Sequence, residues 1–131
     1  MKLTLQDLIN IGDVYKAIQF ADSHKKDYPK MQMESPRLPN KPTAEDYIKY
    51  GQELKPYEEA KAKHKEEVDE IRKYNQEISN LIIDFIKDQS GLKDLPEIKQ
   101  NKVWSKAYEE GRSSGYYEVY NELVDLIELV K

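Results

Sequence analysis

Twelve positions between 47 and 85, stepping alternately by three and four residues, constrain this chain more than any other feature. They hold Tyr47, Tyr50, Leu54, Tyr57, Lys61, His64, Val68, Ile71, Asn75, Ile78, Ile82 and Phe85. Nine are apolar or aromatic, and that spacing aligns them along one side of a helix as a coiled-coil-like seam. Thr43 followed by Asp46 has the form of a capping box, and Gly91 after Ser90 is a stop signal. Together they predict a long helical segment over 44–89. Pro56 lacks a backbone N–H and clashes with the preceding turn, so a break is expected near it, giving helices at about 44–53 and 55–89. Lys61 and His64 fall in the most polar stretch, Glu58 to Lys73, with six acids and five bases. There the helix is expected to project past its partner or to form the rim of an association surface.

The amino-terminal 4–24 reads as a helix or helix pair. Thr4 and Asp7 form a second capping-box pattern, and Leu8, Ile11, Tyr15, Ile18 and Ala21 share one face. In the helix-pair alternative, Gly12-Asp13 is the point of division. Residues 25–43 form a Pro-rich connector. Pro29, Pro36, Pro39 and Pro42 impose extended conformations on their neighbours, and Met31, Met33 and Leu38 are placed to pin the segment onto the helices. A last helix over 101–130 follows the Leu95-Pro96 turn. Its first half clusters Trp104, Ala107, Tyr108, Gly111 and Gly115. Its second half clusters Tyr116, Val119, Tyr120, Leu123, Leu126, Ile127 and Val130, roughly 100° away around the helix. That rotation predicts either a bend at the small residues 111–115 or a separate packing partner for each half. Ala107, Gly111 and Gly115 stand four apart, so they offer a face for close helix approach or a ligand-sized notch.

Composition agrees with long helices. Leu, Ile, Val and Phe make up 30 of 131 residues, enough for one thin core, while 35% of the chain is charged. The expectation is a single all-α domain, 1–131. Its main parts are two long antiparallel helices, 55–89 and 101–130, with the short amino-terminal helices packed on them.

Several chemistries are excluded or weakened by the residues themselves. The absence of cysteine removes disulfides, Cys-ligated zinc and thiol catalysis. No apolar run approaches a membrane span, and Asp7 interrupts the amino terminus too early for a secretory segment. Metal-dependent NTP pyrophosphatases carry an EExxE motif and, within a few tens of residues, an ExxD. Glu66-Glu67-Val68-Asp69-Glu70 and Glu122-Leu123-Val124-Asp125 match formally, but more than 50 residues separate them. Ser113 and Ser114 have no nearby His, and Gly111 to Gly115 lacks the setting and Lys of a phosphate loop. No catalytic residue, metal site or cofactor is therefore assigned, and an enzyme is not expected.

Binding is the better expectation. From Tyr108 to Lys131 there are six acids and two bases, a charge of −4 that equals the formal net charge of the whole chain. Glu118, Glu122 and Asp125 form one stripe by their spacing of four and three. Tyr116 and Tyr117 are adjacent, so both rings cannot enter one core. These five are the candidate partner-binding residues. An acidic tyrosine-rich face suits a basic, nucleic-acid-binding protein partner. Direct nucleic-acid binding is not expected, because the aromatics are interleaved with acids as often as with lysines. Trp104, Gly111, Arg112, Ser114 and Gly115 are the candidate ligand notch, for a nucleotide-binding alternative.

The stretch from Trp104 through Ala107, Gly111, Ser113, Gly115, Glu118 and Val119 to Leu123 and Leu126 resembles a tail found in small bacteriophage accessory proteins. There a W…A…GHSxG..EV…L..L pattern closes a chain whose middle is a charged, YEEA-like helix entered from a Pro-rich segment. Tyr57-Glu58-Glu59-Ala60 and Pro36 to Pro42 occupy the matching places, and Arg112 stands where that pattern usually has His. The resemblance implies phage origin and a place in the host-cell cytoplasm rather than a mechanism. With it, the expected role is a non-enzymatic, cytoplasmic protein, self-associating as a symmetric homodimer. It would bind and inhibit a host protein, for example a nucleic-acid-guided defence nuclease (an anti-CRISPR role).

Overall fold

The computed structural model describes residues 2–131 and is all-α, with no strand among them. Helices α1 (Leu5–Ile11) and α2 (Val14–Asp22) are followed by an irregular segment and then by α3 (Ala44–Ser90). A single 3-10 turn (Leu92–Asp94) leads to α4 (Glu97–Gly111) and α5 (Tyr116–Val130). No helix is long and apolar enough to cross a membrane.

The local signals act as their chemistry dictates. Asp7 N–H donates to Thr4 Oγ1 at 3.3 Å, and Thr4 N–H donates back to Asp7 Oδ2 at 2.9 Å, which closes a capping box at α1. Gly12, at φ +77°, ends α1, and Asp13 then caps α2 by accepting from Lys16 N–H at 2.9 Å. The amino-terminal segment is therefore the helix pair rather than one helix. At α3, Thr43 and Asp46 exchange the same two bonds, at 2.8 and 3.3 Å.

Two expectations about the long helices change. The break near Pro56 is absent, because α3 runs through it for 47 residues. Proline removes one hydrogen bond to the carbonyl four residues back. Residue 52 is exposed, so the orphaned carbonyl is not sealed in a core, and intact turns on both sides carry the helix across. Conversely, the single helix expected over 101–130 is two. It breaks at 112–115, where Gly115 sits at φ +108°, and α5 turns back to pack against α4. The quarter-turn between the two apolar faces explains this. Only a reversal lets Val103, Ala107 and Gly111 of α4 enter one core with Val119, Leu123 and Ile127 of α5. Within residues 97–130 the packing is accordingly that of a helical hairpin.

By its contacts the chain divides into two compact units, Met1–Lys25 with Asn75–Lys131, and Lys26–Tyr74. In the first, Leu8 from α1 and Ala17, Ile18 and Ala21 from α2 are buried. So are Ile78, Ile82, Phe85 and Ile86 from the end of α3, Leu92, and the hairpin residues named above. Among the described residues, every buried one belongs to this unit.

The second unit contains the first part of α3 and the irregular strap 26–43. Here the seam residues Tyr50, Leu54, Tyr57, His64, Val68 and Ile71 are only half-buried, and Tyr47 and Lys61 are exposed. The strap runs antiparallel to the helix. Lys26 Nζ lies 4.6 Å from the centre of the Tyr74 ring, and the Pro29 carbonyl oxygen is 2.8 Å from His64 Nε2. Met33, Glu34 and Pro36 face Gln52, Glu53 and Pro56. Pro29, Met31, Pro36 and Pro42 are its half-buried residues, while Met33 and Leu38 stay exposed.

The closest approach in the hairpin is at Gly111. A Cβ there would stand 2.8 Å from both Val119 Cα and Val119 N, atoms that cannot move without moving α5. Gly111→Ala is therefore expected to cost about 1–3 kcal/mol through overpacking. Gly51→Ala, in a helix interior with open space around the added atom, should instead gain roughly 0.5–1 kcal/mol. Thermal melts of the two variants followed by circular dichroism check the opposite signs.

Candidate functional site

Helix α5 presents its buried stripe, Val119, Leu123 and Ile127, to the core and leaves two flanks, each completed by a different neighbouring helix. On one flank the α4–α5 reversal brings Glu110, in the last turn of α4, against Glu122. Their carboxyl groups are near enough to form a hydrogen bond when one is protonated, and the charges of Glu118 and Asp125 act on the same group. Two carboxyls can share a bond only if one holds the proton. That bond first, then partial loss of solvent and the negative neighbours, pushes the Glu122 pKa above its ordinary 4.5. Among the described residues none of these four acids makes an ion pair. The expected stripe Glu118, Glu122 and Asp125 is thus assembled, with Glu110 added to it. Sequence reasoning passed over Glu110 because on a straight helix it stands about 80° from Glu118. Only the hairpin brings it in.

On the other flank lie the tyrosines. Tyr117 meets Tyr15 of α2 edge-to-face at a centroid distance of 5.0 Å and stacks with Tyr120 at 6.1 Å. The Tyr15 hydroxyl accepts from Gln19 Nε2 at 2.7 Å. Tyr15 and Tyr117 remain 48% and 38% exposed, so this is a surface patch drawn from two helices rather than core. Tyr116 turns inward beneath Lys25, whose Nζ is 5.3 Å from the ring centre. Of the adjacent pair, Tyr117 is therefore the exposed ring. The five candidate partner-binding residues do not form one surface. Tyr117 belongs to an edge shared with α2, and the three acids belong to an edge shared with α4. Tyr15 and Tyr120 were missed because nothing in their spacing announces the α2–α5 contact.

The candidate notch is divided as well. Gly111 has its open side filled by the Val119 backbone, so the face read as either helix contact or ligand site is a helix contact. Gly115 lies outside the helices, as the residue preceding α5. Arg112 and Gly115 do line a dent with Tyr108, Tyr116 and Val119, but its volume is about 180 Å³. Sites that enclose small ligands start at roughly 300 Å³. Trp104 is occupied elsewhere, stacked on Tyr108 at 5.6 Å with Lys87 Nζ 4.6 Å from its ring centre. Ser114 is exposed, and its N–H donates to the Gly111 carbonyl at 3.0 Å. Among the described residues no group of three or more His, Asp or Glu is placed to hold a metal ion.

Residues 9–131 match the model of a family described as a family of unknown function (DUF8546), and the chain belongs to that family. No curated protein and no solved structure matches it.

The acids at the helix starts and the acids on α5 titrate in opposite senses. Asp7 and Asp46 are held below the ordinary 3.8, mainly by the backbone N–H of Thr4 and Thr43 and then by their hydroxyls. Their stabilisation is present above that value and fades as pH falls through the lowered pKa. Glu122 binds its proton more tightly folded than unfolded. Its repulsion is therefore fully felt at neutral pH and relieved as pH falls toward the carboxylate range. Glu122→Gln is expected to stabilise the protein at pH 7, and this advantage should shrink between pH 7 and pH 4.5. Urea denaturation across that range measures it.

Proposed function

We propose that this member of the DUF8546 family is a non-enzymatic binding protein whose α5 acid edge docks onto a basic surface of a partner protein. The observation that supports this reading is the gathering of Glu110, Glu118, Glu122 and Asp125 on one edge, with no cation among the described residues paired to them. Like charges held together repel, and a partner that brings Lys or Arg to the edge relieves that repulsion on binding. Surfaces rich in Lys and Arg are those with which proteins hold nucleic-acid phosphates, so the edge competes with nucleic acid for them.

The tail resemblance to small phage accessory proteins supplies the setting. On that reading the chain works in the cytoplasm of an infected host and occupies the nucleic-acid channel of a guided defence nuclease. The exposed tyrosines Tyr15 and Tyr117 sit on the other flank of α5 and add contact area to the same partner. A symmetric homodimer through the half-buried α3 seam belongs to this reading too, since Leu54, Tyr57, Val68 and Ile71 in that seam are not buried within one chain.

The test is binding to purified guided nucleases, measured with and without their guide nucleic acid. The combined reversal Glu118→Lys, Glu122→Lys and Asp125→Lys is expected to weaken binding by tenfold or more, while wild-type binding weakens steeply with added salt. Binding untouched by the reversal, or lost only in Tyr15→Ala with Tyr117→Ala, overturns the acid-edge reading.

A further inference from the structure

We infer that the Pro-rich strap 26–43 is a releasable cover on α3, one that undocks and redocks while the core of Met1–Lys25 with Asn75–Lys131 stays folded. Three observations within Lys26–Tyr74 carry this. The strap is seated along the helix rather than loose, from Lys26 beside Tyr74 at one end to Pro36 beside Pro56 at the other. Its lengths agree with that seating. Ten residues at about 3.1 Å extended reach about 31 Å, enough to span helix residues 56–74, which at 1.5 Å per residue cover about 27 Å. Yet neither the strap nor the helix beneath it contains one buried residue.

Holding an extended segment in place costs conformational entropy at each residue, and no buried side chain offsets it here. Pro29, Pro36, Pro39 and Pro42 reduce that cost, because they stiffen the released strap as well. Docked and released states are thereby brought close in free energy, which is the condition for a movable element. The contact at Pro29, near the Lys26 end of the strap, is directional. His64 Nε2 donates to the Pro29 carbonyl at 2.8 Å across 35 residues of sequence, and the ring is half-buried. His64 is the latch. Release uncovers the flank of α3 formed by Ala60, Lys63, His64 and Glu67, which Lys30, Met31, Gln32 and Met33 now face.

The inference is independent of the acid-edge reading and needs no partner to test. The chain has no cysteine, so Met33→Cys with Gln52→Cys places two nitroxide labels on exposed positions at either side of the strap contact. Electron–electron double resonance on the full chain is expected to show a short, narrow distance component and a longer, broad one. His64→Ala should raise the ratio of long to short roughly two- to tenfold, as expected for one lost hydrogen bond. His64→Gln, which keeps an N–H donor, should return the ratio toward that of the parent. A single narrow short component in the parent overturns the inference, and so does a ratio that His64→Ala leaves unchanged.

Discussion

The contact on which most of the first unit depends is that between Gly111 and the backbone of Val119. A side chain of one carbon at 111 would collide with main-chain atoms of α5, so the two helices can meet this closely only because that carbon is missing. The approach seats Val119 and Leu123 fully in the core beside Ala107. It also fixes where everything on the surface of α5 goes. Glu110 arrives at Glu122, Tyr117 is turned toward Tyr15, and the space a ligand would need beside Gly111 is filled by the protein's own backbone.

The heptad stripe of α3 shows how one pattern serves two physical roles. Its last members, Ile78, Ile82 and Phe85, are buried in the core of the first unit. Its earlier members are flanked by a strap made largely of Pro, Met and charged residues, and they are only half-buried. Periodicity says that a face wants covering. It does not say whether the cover is a helix, a strap or another molecule, because each satisfies the same apolar stripe. The continuity of α3 through Pro56 has a similar lesson. A single lost hydrogen bond at an exposed position is a local cost, and a long helix with intact turns on both sides absorbs it.

The charges separate into two kinds. Asp7 and Asp46 sit at helix starts, where the backbone N–H groups of Thr4 and Thr43, and then their hydroxyls, favour the ionised carboxylates. Glu122 faces another carboxyl and two further acids, and ionisation there is opposed. The same functional group is thus a structural asset in one place and an uncompensated charge in another. That contrast, rather than the overall charge of −4, is what makes the α5 edge the candidate site.

The sequence by itself determined the all-helical class and several helix ends. The cap at Thr4, the division at Gly12-Asp13, the cap at Thr43 and the stop at Gly91 all rest on interactions between residues a few positions apart, so they are legible in one dimension. It also determined the acid stripe Glu118, Glu122 and Asp125, since helical spacing alone aligns those three. Only the tertiary structure decided that 101–130 reverses at Gly115, that Glu110 joins the stripe, that Tyr15 meets Tyr117, and that the strap rather than a second helix lies against α3 in its unit. Each of these joins residues whose separation in sequence fits several arrangements. Which arrangement forms is settled by burial of the whole set of apolar faces at once, a sum over the fold that no local window contains.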